Sequence, residues 1–497
     1  MLLGISKRLR LLGKSPVPLD PGSSIIDMQC KAWVADLGLA VRQRRYENLR
    51  KLCYDGKTLR CSSICSGSGM GELSVHYGMK RLCHSLLDDK DKPQIDSNVK
   101  FVCECDAEKA AWLRKLKVIH EDTRHFIKAE ELSSERALCR QSGTSEVVGD
   151  VDLLHAGVSC KDLSGLNDEA GQNLTHILAW LKNLSPSNEF QCKDEDIPEG
   201  STATTLLATL RYINRHRPAM IMVENVMAFA ELEVELKRLL REMGYASVII
   251  AVNSLDFGVP QSRPRIYLVA VNRLARTGMP LTAHPSFDAW ETEWSNHLRT
   301  ALNSMKATER RPLDDYLLPI DSHLLKAILE EIPMPIDPDE SVLKWPAKHD
   351  DLFKSIDLPR RPSLRQLSSF RAAMHGDINR AMWDRICRRQ KEIVFFFTAL
   401  WVKTDQTFEW AIDTSQNLWR LGKQGTQDYV PCLTGSSRIW LVKSQRLLLG
   451  RECLALQGIN EGDIECLGNF SNTLHWSLAG NAFTGVVAAA VFNAALD

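Results

Sequence analysis

Asp152-Leu-Leu-His-Ala-Gly-Val-Ser-Cys160-Lys-Asp-Leu-Ser164 opens on an apolar run and ends on a polar loop. Val151 to Leu154 reads as the end of a buried strand, which Ala156-Gly157 breaks, leaving Cys160 on the loop beyond. Ligands and reactive groups gather at the strand ends of an α/β sheet, and a thiol held there is placed to act as a nucleophile. A lone cysteine more often fills space in a core, so the weight rests on what flanks this stretch.

Upstream, Leu59-Arg-Cys-Ser-Ser-Ile-Cys-Ser-Gly67-Ser-Gly69-Met-Gly71-Glu72 carries a β-type segment into alternating glycines, followed by a helical pattern from Leu73 to Leu86. Glycines let a ligand approach the backbone, and the helix beyond offers free N–H groups. Val99-Lys-Phe-Val-Cys-Glu104-Cys-Asp106 is a second apolar strand ending in an acid, the usual device for holding ribose hydroxyls after a glycine loop. Lys117–Ile119 reads as a short third strand with Asp122 after it, which makes a βαβαβ beginning of Rossmann type.

Downstream, 165–201 is polar and rich in Gly, Asn, Ser and Pro, the composition of an irregular functional lid. Thr205–His216 reads as a helix, and Arg217-Pro-Ala-Met-Ile-Met-Val-Glu224-Asn225-Val226 as a buried strand whose terminal acid points to the same sheet edge as Cys160. Leu232–Met243 is an amphipathic helix before Gly244, and Ala246–Val252 a further strand. Gly258-Val-Pro-Gln261-Ser-Arg263-Pro-Arg265 then puts two arginines before another apolar strand, where they need an anionic or polar partner in the cleft.

Composition sets the outer bounds. The 497 residues suffice for two or three domains, and 44% hydrophobic with 25% charged content is that of an ordinary globular protein. Formal net charge is zero, so any basic, nucleic-acid-binding face must be local. The 14 cysteines form no regular framework, which suits a reducing compartment. The close pairs Cys61/Cys65 and Cys103/Cys105 lack a matching second half, so core thiols are expected and no metal. No apolar run of membrane-spanning length and no signal peptide is apparent.

Taken together, these blocks resemble the cytosine-C5 DNA methyltransferases, which use S-adenosylmethionine. They stand in that family's order: Ser66-Gly67-Ser68-Gly69; Glu104-Cys-Asp106, then Asp122; Gly157-Val-Ser-Cys160; Glu224-Asn225-Val226; Gln261-Ser-Arg263-Pro-Arg265; Gln445 to Gly458; and Leu478-Ala-Gly480-Asn481-Ala482. The resemblance covers roughly 60–270 and 431–497. It implies an α/β fold, a Rossmann-like methyltransferase sheet with a smaller inserted target-recognition domain. It further implies Cys160 as nucleophile toward cytosine C6, Glu224 on N3 and the exocyclic amine, and Arg265 with Arg263 beside it on O2. Ser66, Gly67 and Gly69 would line the methionine end of the cofactor, Glu104 the ribose, Asp122 the adenine amine, and Asn481 would rejoin that face. The partner implied is double-stranded DNA with its target cytosine flipped out, in the nucleus if the organism is eukaryotic. Two departures are plain: the family's Pro-Cys-Gln reads Ser159-Cys160-Lys161, and its Asp-Leu-Phe reads Ser63-Ile64-Cys65. The lost proline would loosen the loop, and Lys161 would favour the thiolate.

The division expected is an N-terminal extension at 1–56, with a helix over Met28–Leu52, a catalytic part at 57–275, the inserted domain at 276–430, and a returning catalytic part at 431–497. Within the insert, Arg360, Arg361, Arg365, Arg371, Arg380, Arg385, Arg388, Arg389 and Lys391 form a basic stretch expected to touch phosphates, while Trp383 and Phe395–Phe397 are expected in a core. Two rivals stand beside DNA methylation. One is an RNA cytosine methyltransferase, against which the absence of that branch's Cys-Phe-Thr tripeptide counts. The other is an inactive methyltransferase-like DNA-binding protein, against which the presence of Cys160, Glu224 and Arg265 counts.

Overall fold

Runs of three to nine residues, mostly apolar and each ended by a glycine, an acid or a turn, pair into a seven-stranded sheet. In the computed structural model, which describes residues 24–86, 95–272, 287–336, 345–358, 360–404, 406–421, 426–465 and 467–497, its strands are β1 (Thr58–Ile64), β2 (Asp96–Cys103), β3 (Arg124–Phe126), β4 (Leu153–Ala156), β5 (Met220–Asn225), β6 (Tyr245–Asn253) and β7 (Pro264–Asn272). Their order is β3-β2-β1-β4-β5-β7-β6, parallel except for β7, which runs antiparallel to both β5 and β6. Every residue of β4 and β5 is buried, as expected of strands covered by helices on both faces.

Helices α1 (Ile25–Asp36), α2 (Leu39–Leu52), α3 (Met70–His84), α4 (Ala107–Leu113), α5 (Ala170–Asn183), α6 (Ser201–His216), α7 (Glu233–Glu242) and α8 (Phe287–Ser304) follow in chain order. The insert adds α9 (His323–Glu331), α10 (Trp345–Lys354), α11 (Leu364–Ala372), α12 (Gly376–Asp384) and α13 (Arg388–Trp401). A small sheet of β8 (Trp410–Asp413), β9 (Thr426–Gln427), β10 (Ile439–Leu441) and β11 (Arg446–Leu447), ordered β9-β8-β10-β11, follows them. The chain then returns as α14 (Gly450–Gln457), α15 (Asn472–Asn481) and α16 (Gly485–Ala495). The apolar segment 472–495 has 89% of its most apolar window buried inside the fold, the position of core helices.

Register decides what the sheet can present. Ile64 pairs with both Cys103 and Ala156, and Ala156 pairs with Val223. The next residue on each strand is therefore Cys65, Glu104, Gly157 and Glu224, four positions in one row along the C-terminal edge. Because β7 is antiparallel, with Asn225 opposite Ile266, its start brings Arg263 and Arg265 to the same edge.

Several expectations need correction. The helix expected over Met28–Leu52 is two, broken at Leu37-Gly38, where the carbonyls of Val34 and Gly38 take over the capping bonds. Lys117–Ile119 is a turn docked on the C-terminal segment, with the Lys117 amide donating to the Asp463 carbonyl and Leu116 bridging Ile464. The third strand is Arg124–Phe126, whose polar residues hid it. The segment 165–201 is not irregular throughout: α5 buries Ile177, Trp180 and Leu181. The small sheet joins strands on both sides of 430/431, and α8 packs on β6 and α16. Residues 1–23 of the N-terminal extension lie outside the described residues.

The basic stretch of the insert is largely spent internally. Arg371 pairs with Asp384, Arg380 with Asp377, and Arg361 and Arg388 both with the fully buried Glu392. Arg385 donates to the Ile332 carbonyl, and Arg389 to the carbonyls of Thr414, Ser415 and Gln416. Arg360 and Arg365 are exposed, while Lys391 lies over the Trp383 ring at 6.0 Å. Trp383, Phe396 and Phe397 are buried as expected, with Phe395 packed against them.

Candidate active site

At the C-terminal edge the row of strand ends opens into one cavity of about 740 Å³. One end is walled by Cys65, Gly67, Glu104 and Ile127; the other by Cys160, Glu224, Arg263 and Arg265; Asn481 and Phe483 close it from the C-terminal segment. The volume falls in the range of sites that enclose a small molecule (about 300–1,000 Å³).

The glycine end is built by hydrogen bonds within the turn. Glu104 accepts from the Gly67 amide through Oε2 (2.9 Å) and from the Asp106 amide through Oε1 (3.0 Å). Asp106 in turn caps α4 by accepting from the Glu108 and Lys109 amides, which leaves Glu104 to face the cavity. Ser66 and Gly69 do not line it. Ser66 Oγ is tied to β2 through the Cys103 amide (2.9 Å), and Gly69, at φ +74°, starts α3 where a Cβ would lie 2.1 Å from Leu116. Cys65 sits in the left-handed region at φ 56° and forms part of the wall, its thiol pushed up to about 12 by burial. Ser63 is hydrogen-bonded to the buried Glu72 and, at 2.6 Å, to Ser66, so the altered approach to the glycines remains a connected polar turn.

Asp122 is a correction. It is exposed and precedes β3, at the end of the sheet away from the cavity, because the strand begins only at Arg124. The residues that β3 delivers to the cavity are Ile127 and Lys128.

The other end gathers the remaining expected residues. Glu224 is buried, and its Oε1 stands 3.0 Å from Arg265 Nε, an ion pair without the alignment of a hydrogen bond. Burial raises the Glu224 carboxyl, and Arg265 and Arg263 only partly oppose that. Burial and the Glu224 charge likewise raise the half-buried Cys160 thiol, against a lowering influence from Arg265 and Arg263. Those two arginines, rather than Lys161, are the cations that act on it. Arg263 itself faces inward: its guanidinium donates to the carbonyls of Leu433 (2.8 Å), Gly480 (3.1 Å) and Ala482 (2.6 Å), joining the end of the insert and the last block to β7. Gly480 permits this closeness, since a Cβ would lie 2.0 Å from the Thr434 carbonyl carbon. Gln261, Gln457 and Thr484 continue the join as a buried hydrogen-bond chain. Asn225 donates to the Val158 carbonyl at 3.0 Å and so steadies the loop before Cys160.

Sequence reading missed Thr205, Ser201, Phe483 and Cys432. Cys432 accepts from Arg265 Nη1 at 3.5 Å, and its place before the last block gave no signal of that. Phe483 faces Gly157, where a Cβ would come within 3.3 Å of its ring; an aromatic two residues after Asn481 is the one cue that was readable.

These charges make a pH prediction. Alkylation of Cys160 by iodoacetamide, followed on its own peptide by mass spectrometry, should rise with pH with a midpoint above the ordinary 9.0. Glu224→Gln should move the midpoint down, because it removes the charge that opposes the thiolate, and Arg265→Gln should move it up. A midpoint insensitive to both would show that neither group acts on the thiol.

The chain is similar in sequence to known proteins. Residues 191–332 match the family model for C-5 cytosine-specific DNA methylase. The matched span includes Glu224, Arg263 and Arg265, while Cys160 and Gly67 lie before it in the chain. The chain is 23% identical over 462 residues to the DNA (cytosine-5-)-methyltransferase DMT5 of Cryptococcus neoformans, an alignment covering 89% of this chain and 17% of that protein. To the DMT5 of Verticillium dahliae it is 30% identical over 246 residues, covering 44% of this chain and 10% of that one. The chain thus spans less than a fifth of the length of either relative. Among solved structures, the S. pombe Dnmt2 methyltransferase superposes with a TM-score of 0.40 at 14% identity, over 88% of this chain and 98% of that one.

Proposed function

We propose that this chain is the catalytic module of a DNA (cytosine-5-)-methyltransferase that takes its methyl group from S-adenosylmethionine. The observation that carries the reading is the single cavity in which a glycine turn and strand-end acid face a cysteine, a glutamate and an arginine. The donor set fits the cofactor: Glu104 has oxygen lone pairs left for ribose hydroxyls after its two amide bonds, and the Gly67 backbone lies open beside it. Once bound there, the cofactor would supply an electrophilic methyl group.

The chain's own residues prepare the base. Cytosine C5 is a weak nucleophile, and attack of the Cys160 thiolate on C6 makes it a strong one. Glu224, whose raised carboxyl holds a proton more readily than an ordinary glutamate, hydrogen-bonds N3 and the exocyclic amine as the ring takes up charge. Arg265, held 3.0 Å from Glu224, bears on O2. After methylation, loss of the C5 proton and expulsion of Cys160 restore the aromatic ring. A cytosine inside a duplex does not reach such a cavity, so the base is flipped out. The family model and the names of both relatives support DNA as the substrate.

The test is transfer of labelled methyl from S-adenosylmethionine to mixed-sequence duplex DNA and, in parallel, to total RNA. Incorporation into DNA at least about 100-fold above RNA is expected, since that ratio needs only about 2.7 kcal/mol of discrimination. Preference for RNA would replace the substrate. Cofactor binding without incorporation into either would leave a methyltransferase-like binding protein.

A further inference from the structure

The loop that carries Cys160 is fastened on both sides of the thiol to one helix end. Before it, the Ser159 amide donates to Thr205 Oγ1 at 3.1 Å, and the Ser159 and Ser201 hydroxyls meet at 2.6 Å. After it, the Asp162 amide donates to Thr202 Oγ1 (3.3 Å), and Asp162 Oδ2 accepts from the Thr202 amide (2.7 Å), so the loop's own acid caps α6. Thr205 is pinned in turn, because its hydroxyl donates to the Ser201 carbonyl at 2.7 Å and is left with lone pairs for Ser159. The close approach needs Gly200, at φ +112°, where a Cβ would stand 2.4 Å from Asp162 Oδ2.

An amide at position 159 is the hinge of this arrangement. A proline there would restrict φ but would have no N–H to give Thr205. Ring restriction and hydrogen bonding to α6 are thus alternative ways to stiffen the same residue. We propose that Ser201, Thr202 and Thr205 of α6, acting through Ser159 and Asp162, are positioning residues that hold the Cys160 sulfur at reacting distance from the base. The role assigned to them rests on the reaction proposed above; the restraint on the thiol does not.

The test compares Thr205→Val, which removes the acceptor while keeping the shape, with Thr205→Ser, which keeps the acceptor. Thr205→Val should lower kcat by about 10-fold or more, because misplacing a reacting group by a fraction of an ångström has that effect. It should leave KM and binding for S-adenosylmethionine within about twofold, since Glu104 and Gly67 are untouched. Alkylation of the Cys160 peptide at fixed pH should rise about threefold or more as the loop loosens. Thr205→Ser should recover both quantities. Ser201→Ala, which removes only the hydroxyl pair, should give a smaller change of the same kind and serves if Thr205→Val fails to fold. The proposal is overturned if kcat stays within twofold, if kcat and the cofactor KM worsen together, or if Thr205→Ser is as impaired as Thr205→Val. Should the parent protein methylate nothing, alkylation alone decides: a raised rate in Thr205→Val keeps the latch and sinks the methylase reading, and an unchanged rate sinks both.

Discussion

Cys160→Ala is expected to lower methyl transfer to DNA by at least about 10⁴-fold, or about 5.5 kcal/mol of lost transition-state stabilisation, with S-adenosylmethionine still bound. The size follows from the chemistry: without a covalent bond at C6, nothing else in the cavity makes C5 nucleophilic. Truncation at Cβ removes one sulfur from a half-buried position on the cavity wall. The loop should keep its shape, because Ser159, Asp162 and Asn225 hold it through atoms the substitution does not touch. Cofactor affinity measured by calorimetry alongside the methyl-transfer assay separates the two quantities. Residual activity above about a hundredth of the parent's would remove Cys160 from the nucleophile's role, since such a loss is only about 2.7 kcal/mol.

Glu224→Gln is expected to lower kcat by about 10²–10³-fold, the range for a general acid and a preorganised hydrogen bond together, and to leave the fold at least as stable near neutral pH. The second half comes from the direction of the carboxyl's shift. Burial raises the native Glu224 carboxyl above its ordinary 4.5, and the arginine pair does not restore it. A carboxyl raised in the native state gives stability that is fully present below its unfolded value and is lost as pH rises through the native value. The parent should therefore lose stability relative to Glu224→Gln as pH climbs above about 4.5, because the glutamine does not ionise. Denaturant titrations of both proteins at several pH values read this directly. A glutamine variant that is inactive and also markedly less stable at neutral pH would mean that the Arg265 pair outweighs burial.

Much of this site is written locally. Glu104, Gly157 and Glu224 each follow an apolar run, as parallel strands with both faces covered read, and Cys65 follows the β-type stretch Leu59–Ile64. The strand-end rule then places the four together without any knowledge of helices. What escaped was set by packing between distant segments. Arg124-His-Phe126 pairs with β2 and has little apolar signal of its own, while the apolar Val118-Ile119 beside it is a turn against the C-terminal segment; exchanging the two put Asp122 at the wrong edge. Helix α5 was legible after all, since Leu174, Ile177, Leu178 and Leu181 recur at helical spacing, but the polar residues around them masked it. Runs of arginine in the insert suggested an open cationic face, and their carboxylates and carbonyl partners lie up to dozens of residues away. Thr205 and Ser201 carry no motif at all; only the docking of α6 gives them a task.

The three carbonyls that Arg263 grips lie 170, 217 and 219 residues further along the chain. At ribosomal speeds of about 5–20 residues per second, the last of them emerges roughly 10–45 s after the arginine does. Through that interval β7 carries a guanidinium destined for burial with nothing to receive it, so the sheet edge stays unfinished while the whole insert is being made. The protein's chemistry is thus a late event in its own biosynthesis. Any factor that shelters the nascent chain has most to offer between the appearance of β7 and the arrival of Ala482.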